Sequence, residues 1–120
     1  MSSAFPRPLR LISQAEFDRV FQQSSKSYSA WFILLYRANH LGYPRLGFAI
    51  SKKRIKKAVS RNQIKRIVRE SFRLKQQQLG SWDIVVLARP QIRSSQTSKA
   101  SKTEQRQAIE QHWQNLLHQH

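Results

Sequence analysis

Apolar residues recur along this chain at two spacings, helical and alternating, and each stretch names its own element. Phe17, Val20 and Phe21 form a helical stripe. Ser13 stands ahead of it as a cap, and Glu16, three residues on, can return the bond, which makes a capping box. Ile12 and Phe17 stand where a hydrophobic staple would place them. The leader before this helix, residues 2–10, is polar, carries Pro6 and Pro8, and is expected to be extended. Residues 22–29 read as a polar connection with room for a short strand.

Residues 31–37 alternate. Trp31, Ile33 and Leu35 point one way, and Phe32, Leu34 and Tyr36 the other. Both sets are apolar, so both faces of this strand are covered or used. A turn over 39–44 is marked by Gly42 and Pro44. A second strand follows over 45–50, where Leu46, Phe48 and Ile50 alternate with Gly47 and Ala49. The two small residues predict a shallow groove on one sheet face.

From 59 to 79 the period is helical again, with Ile64, Ile67, Val68, Ser71 and Phe72 on one side and Gly80 as the stop. A strand over 82–88 ends in a continuously apolar run, as a buried strand would. Strand, long helix and strand predict a β-α-β unit. Residues 91–103 are rich in Ser, Thr, Gln and Lys without an apolar period, and predict a mobile loop. A last helix is expected over 104–118. Thr103 would be its cap and Ala108, Ile109, Trp113, Leu116 and Leu117 its buried stripe. The whole, 1–120, fits one domain of mixed α and β structure.

Charge changes what this scaffold is for. The chain holds 22 Lys and Arg against 6 acids, a formal net charge of +16. A small domain bearing that charge repels itself, and a polyanionic partner is the usual reason to carry it. No apolar run approaches the ~20 residues of a spanning helix. Residues 1–9 lack the apolar core of an export signal, and there is no cysteine. A cytoplasmic location and a nucleic-acid partner are therefore expected, and a membrane is not.

Half of the positive charge lies between Lys52 and Lys75, where the only acid is Glu70. At about 100° per residue, Arg61, Asn62, Lys65, Arg69 and Arg73 share one helix face, opposite Ile64, Ile67, Val68 and Ser71. Four of these are like charges at successive i, i+4 spacings, which repel by a few tenths of a kcal/mol per pair on an isolated helix. A merely solvated face would mix signs, so a one-sided ridge points to phosphates, with a steep salt dependence of binding. No helix pair of the kind that reads DNA surrounds the ridge; strands flank it, which suits folded RNA better.

At these residues the chain resembles the protein component of bacterial ribonuclease P. The run Leu46-Gly47-Phe48-Ala49-Ile50-Ser51-Lys52-Lys53 is similar to that family's strand and lysine pair. Arg61-Asn62-Gln63-Ile64-Lys65-Arg66 and Arg69-Glu70-Ser71-Phe72-Arg73 are similar to its basic helix, with Gln63 in place of the family's second arginine. Phe17, Val20 and Phe21, and the run from Trp82 to Val85, match as well. The resemblance implies a two-layer α/β (α+β) sandwich with a mostly antiparallel sheet, three helices and a left-handed β-α-β crossover. It implies contact with a large catalytic RNA through Arg54, Lys57, Arg61, Asn62, Lys65, Arg66, Arg69 and Arg73. It implies a cleft for the 5′ leader of precursor tRNA, lined by Phe17, Phe21, Phe32 and Tyr36 and rimmed by Lys52, Lys53, Lys56 and Arg89. Core packing is the alternative for each of the four aromatics. Phe at helical spacing, as Phe17 and Phe21 are, is usually core. For Phe32 and Tyr36, one sheet face must be core and the period does not fix which. The reaction implied is Mg²⁺-dependent removal of the leader, with the Mg²⁺ serving the RNA.

No catalytic set or metal site is expected in the protein itself. Hydrolysis of a phosphodiester by metal ions wants clustered carboxylates, and Glu16, Asp18, Glu70, Asp83, Glu104 and Glu110 are scattered along the sequence. His40, His112, His118 and His120 show no ligand spacing. A structural protein of another ribonucleoprotein, such as the ribosome, would share the charge but would not require the aromatic cleft.

Overall fold

The capping box forms as the sequence predicts. Ser13 Oγ accepts from the Glu16 amide at 3.1 Å, and Glu16 Oε1 accepts from the Ser13 amide at 3.0 Å. Together they start α1, Gln14–Gln22. A computed structural model describes residues 10–11, 13–89 and 99–118. After α1 come β1 (Ser25–Tyr28), β2 (Phe32–Ala38), β3 (Arg45–Phe48), α2 (Ala58–Leu79), β4 (Trp82–Ala88) and α3 (Lys99–Leu117). The staple expected of Ile12, the leader over 2–9 and the loop over 91–98 lie outside the described residues.

The sheet order is β1-β2-β4-β3. β2 pairs antiparallel with β1 and with β4, and β3 joins β4 in parallel through the α2 crossover. The expected β-α-β unit and the mostly antiparallel sheet are both present. Beyond β3, Arg10 bridges Leu46 in parallel, and the Leu11 amide donates to the Leu46 carbonyl at 3.0 Å.

Alternation along the strands separates two apolar clusters. Phe32, Leu34 and Tyr36 of β2 and Ile84 and Val86 of β4 face α2 and α3. There they meet Ile64, Ile67, Val68 and Phe72 of α2, and Ile109, Trp113 and Leu116 of α3. This is the main core. On the other face, Leu35 and Val85 pack with Leu11 and with Val20 of α1, and Phe17, Ile33, Ala49 and Leu87 are only partly covered. Among the described residues, only the nine-residue α1 and Leu11 cover this face, too little to roof the sheet, so it stays partly open.

The last helix begins earlier than its apolar period indicates. Residues 99–103, expected in a mobile loop, form the first turns of α3, and Thr103 lies within it rather than capping it. The buried stripe starts with polar residues: Ser101 and Gln105 lie inside, two turns and one turn before Ile109. A period counted on apolar residues cannot register them. Ser71, the polar member of the α2 stripe, has a similar reason to be inside, since Trp113 Nε1 donates to its Oγ at 2.7 Å.

α3 is also tied to the sheet by His112, which is buried between two serines of the β1 segment. Its Nδ1 is 2.7 Å from Ser27 Oγ and its Nε2 is 2.9 Å from Ser29 Oγ. Burial disfavours the imidazolium and lowers its pKa to about 4.

Candidate nucleic-acid interface

α2 docks by its apolar stripe, as predicted, and the basic residues opposite are turned outward. Asn62, Arg66, Arg69 and Arg73 are exposed, and Lys65 and Gln63 are half-buried. Arg66 is shared with Glu70 at 3.3 Å, one turn on. Arg69 is held over an aromatic face, its Cζ 5.3 Å from the centroid of Phe48. Such a cation–π contact restrains the guanidinium without using its hydrogen-bond donors.

Arg61 departs from the expectation of a free ridge residue. It is half-buried, and its Nη1 donates to the carbonyls of Ile55 and Lys56, both at 2.8 Å. The guanidinium thus turns back onto the preceding loop. That loop, 51–57, carries Lys52, Lys53, Arg54, Lys56 and Lys57, all exposed. Ile55 alone is inserted into the main core, and its amide donates to the Ser51 carbonyl at 2.9 Å.

The aromatic cleft needs a larger correction. Phe32 is fully buried and Tyr36 nearly so, both in the main core. Phe32 meets His112 edge-on, and Tyr36 meets Trp82 at 5.3 Å and 86°. They face away from α1, so neither lines a cleft with Phe17. Their bulk helps to fill the main core between the sheet and the helices α2 and α3. Gly47 is not an open floor either: an added Cβ there would lie 2.7 Å from Phe17 Cζ. The ring of Phe17 occupies the groove that the small residue provides.

The surface left beside α1 is built from other residues. Register places Tyr28 opposite Ile33 and Ile33 opposite Leu87. The Ala49 amide continues the row by donating to the Val86 carbonyl at 3.0 Å. Ser27 points to α3, so Tyr28 next to it points to the α1 side, where it is 62% exposed. Tyr28, Ile33, Leu87 and Ala49 therefore form an apolar row across the sheet, with half-buried Phe17 and exposed Phe21 at its α1 edge. Arg89 stands at one end, its Nη1 donating to the Ser29 carbonyl at 3.0 Å. The sequence did hold a signal for this face. Arg37, Arg45, Asp83 and Arg89 share the strand parity of Ile33, Gly47 and Leu87, and charged residues mark the less covered side of a sheet.

Two acids that are scattered in sequence converge here. Arg45 Nη1 donates to Glu16, and its Nε and Nη2 donate to Asp83 at 2.8 and 2.7 Å. The hydrogen bond to Asp83 raises the Arg45 pKa, against the desolvation that lowers it. Asn39 adds a bond to Asp83 Oδ1 at 3.0 Å. This network pins the start of α1 to the sheet and leaves these carboxylates committed to a guanidinium. No group of three or more His, Cys, Asp or Glu among the described residues is placed to hold a metal ion, and no described helix is long and apolar enough to cross a membrane.

The family model for ribonuclease P matches residues 5–117. The ribonuclease P protein component of Methylococcus capsulatus is 49% identical over 109 residues, covering 91% of this chain and 81% of the relative. The RNase P protein of Staphylococcus aureus superposes with a TM-score of 0.70 at 27% identity, covering 95% of this chain and 92% of the other. The RNase P protein of Thermotoga maritima gives 0.62 at 31% identity, with 91% and 92% covered.

Proposed function

This chain belongs to the ribonuclease P protein family, a component of a ribonuclease complex that processes tRNA, and we propose that it binds two RNAs at once. One is the catalytic RNA, held by Asn62, Lys65, Arg66, Arg69 and Arg73 on α2, with Arg54 and Lys57 before them. The other is the 5′ leader of precursor tRNA, laid along the apolar row beside α1. The observation that carries this reading is the juxtaposition itself. A one-sided basic helix and a partly open apolar sheet face lie on opposite sides of one sheet, joined by a loop with five exposed cations.

Unpaired leader bases stack on Phe17, Phe21 and Tyr28, each contact worth about 1–3 kcal/mol and tolerant of sequence. That tolerance suits an enzyme whose substrates differ in their leaders. Lys52, Lys53, Lys56 and Arg89 neutralise the leader backbone. Holding the leader beside the RNA catalyst positions the scissile bond, and this is the protein's contribution to rate. In this reading Mg²⁺ and the hydrolysis of the phosphodiester belong to the RNA, and the commitment of Glu16 and Asp83 to Arg45 is consistent with that division. The complex works in the cytoplasm.

Reconstitution tests the proposal. Precursor tRNA is incubated with the cognate catalytic RNA at low Mg²⁺, with and without this chain. Stimulated cleavage that grows with leader length is the expected result. Absence of stimulation rejects the reading, and cleavage by the protein alone overturns the assignment of chemistry to the RNA.

A further inference from the structure

Five cations fall within the six residues 52–57, directly before the N-terminus of α2. A helix N-terminus adds about half a positive charge of its own. Lys57 is the N-cap and provides no side-chain bond to offset it. By charge alone, an arginine in the first turn of this helix should swing outward, away from the loop. Arg61 turns inward instead, and its Nη1 reaches both the Ile55 and the Lys56 carbonyl at 2.8 Å. Hydrogen bonds from a guanidinium to carbonyls are charge-assisted and roughly twice as strong as neutral ones, which is why this placement prevails over the repulsion.

We propose that Arg61 is a positioning residue, a brace that holds the 51–57 loop so that Lys52, Lys53 and Lys56 face the leader. The loop has an apolar plug on one side, Ile55, only 3% exposed. Arg61 is the tie from the helix side. With both in place the loop cannot relieve its charge by spreading, and its lysines are ordered before RNA arrives. Ordering them beforehand removes an entropic penalty from binding. Because Arg61 grows from the first turn of α2, it also links the helix that grips the catalytic RNA to the loop that meets the substrate. This inference rests on the leader-binding reading above.

The test is Arg61→Lys in the reconstituted holoenzyme. Lysine keeps the charge, but its side chain ends one bond short of Nη1. In the free protein, hydrogen exchange at the Lys53 and Ile55 amides, both bonded to Ser51, should accelerate about tenfold. In the holoenzyme, the affinity ratio between precursor tRNA with a long leader and tRNA with a one-nucleotide leader should fall several-fold. Affinity for the catalytic RNA and its salt slope should not change. In a Lys52→Gln, Lys53→Gln, Lys56→Gln background the ratio should not fall further on Arg61→Lys.

Unchanged amide exchange overturns the brace. So does a further fall in the Lys52→Gln, Lys53→Gln, Lys56→Gln background, or a loss of about one unit of salt slope on Arg61→Gln with exchange unaltered, which would mark a direct phosphate contact. If the triple-lysine variant itself keeps the full leader ratio, the leader reading fails, and that failure is seen without any substitution at 61.

Discussion

The ring of Phe17 rests on the bare backbone of Gly47, so close that a Cβ at 47 would stand 2.7 Å from its Cζ and 2.9 Å from its Cε1. The smallest residue of β3 and one of the two phenylalanines of α1 are thus one fitted pair. Gly47→Ala must push the ring off the sheet. The expected loss is about 1–3 kcal/mol of stability, together with weaker leader binding. Urea unfolding and leader-dependent affinity would measure the two; an unshifted urea midpoint would mean the ring moves aside freely.

Phe32 and Phe21 should separate core from cleft. Phe32 is fully buried beneath α3, and Phe21 is 48% exposed. Phe32→Ala is expected to destabilise by about 3–5 kcal/mol. Phe21→Ala should leave stability within about 0.5 kcal/mol and reduce leader affinity. Unfolding curves and precursor-tRNA binding on the same two proteins decide it, and equal stability losses would place Phe21 in the core.

The Arg45 network should respond to Asp83→Asn. The amide keeps the shape of Asp83 but removes the charge from the partner that holds two Arg45 nitrogens. Breaking a buried ion pair by neutralising one member typically destabilises by about 3–5 kcal/mol. Glu16 still faces Arg45, so the expected loss lies at the lower end, about 3 kcal/mol. Thermal unfolding would report it, and an unchanged midpoint would show that Glu16 alone suffices.

Acid should loosen α3 through His112. In the folded chain burial holds its pKa at about 4, and on unfolding it returns to the ordinary 6.5. Between these values the unfolded chain binds more protons, so stability falls as pH drops from 6.5 to 4 and is fully present above 6.5. The contribution is about 3 kcal/mol. His112→Gln should be less stable than the parent at pH 7, and the gap should narrow at pH 4. A constant gap in urea midpoint across that range would exclude His112 as the titrating group.

Salt should act through the α2 ridge. Replacing Arg73 or Lys65 by Gln is expected to weaken catalytic-RNA binding and lower the salt slope by about one unit each. Arg66, already shared with Glu70, should matter less. Titrations at several ionic strengths provide the slopes; unaltered slopes for Arg73 and Lys65 would remove the ridge from the interface.

Apart from the early start of α3, the sequence determined the elements and the polyanionic partner, because both are written in local spacing. A capping box at Ser13, a 3.6-residue stripe through Ile64 and Phe72, and four cations at successive i, i+4 positions need no neighbour to be recognised. It also carried the family, through the runs around Gly47 and Asn62. Only the tertiary structure decided which face each residue meets. Phe32 and Tyr36 differ from Ile33 and Leu35 by one position, and a strand sends consecutive residues to opposite faces. Which face is core depends on where α2 and α3 dock, and α3 docks not only through Ile109, Trp113 and Leu116 but also through Ser101, Gln105 and His112, polar residues that an apolar period does not count. Arg61 shows the same limit on a helix. The wheel placed it on the basic ridge, and the fold of the loop before it turned its guanidinium inward, onto two carbonyls that only a folded chain brings within reach.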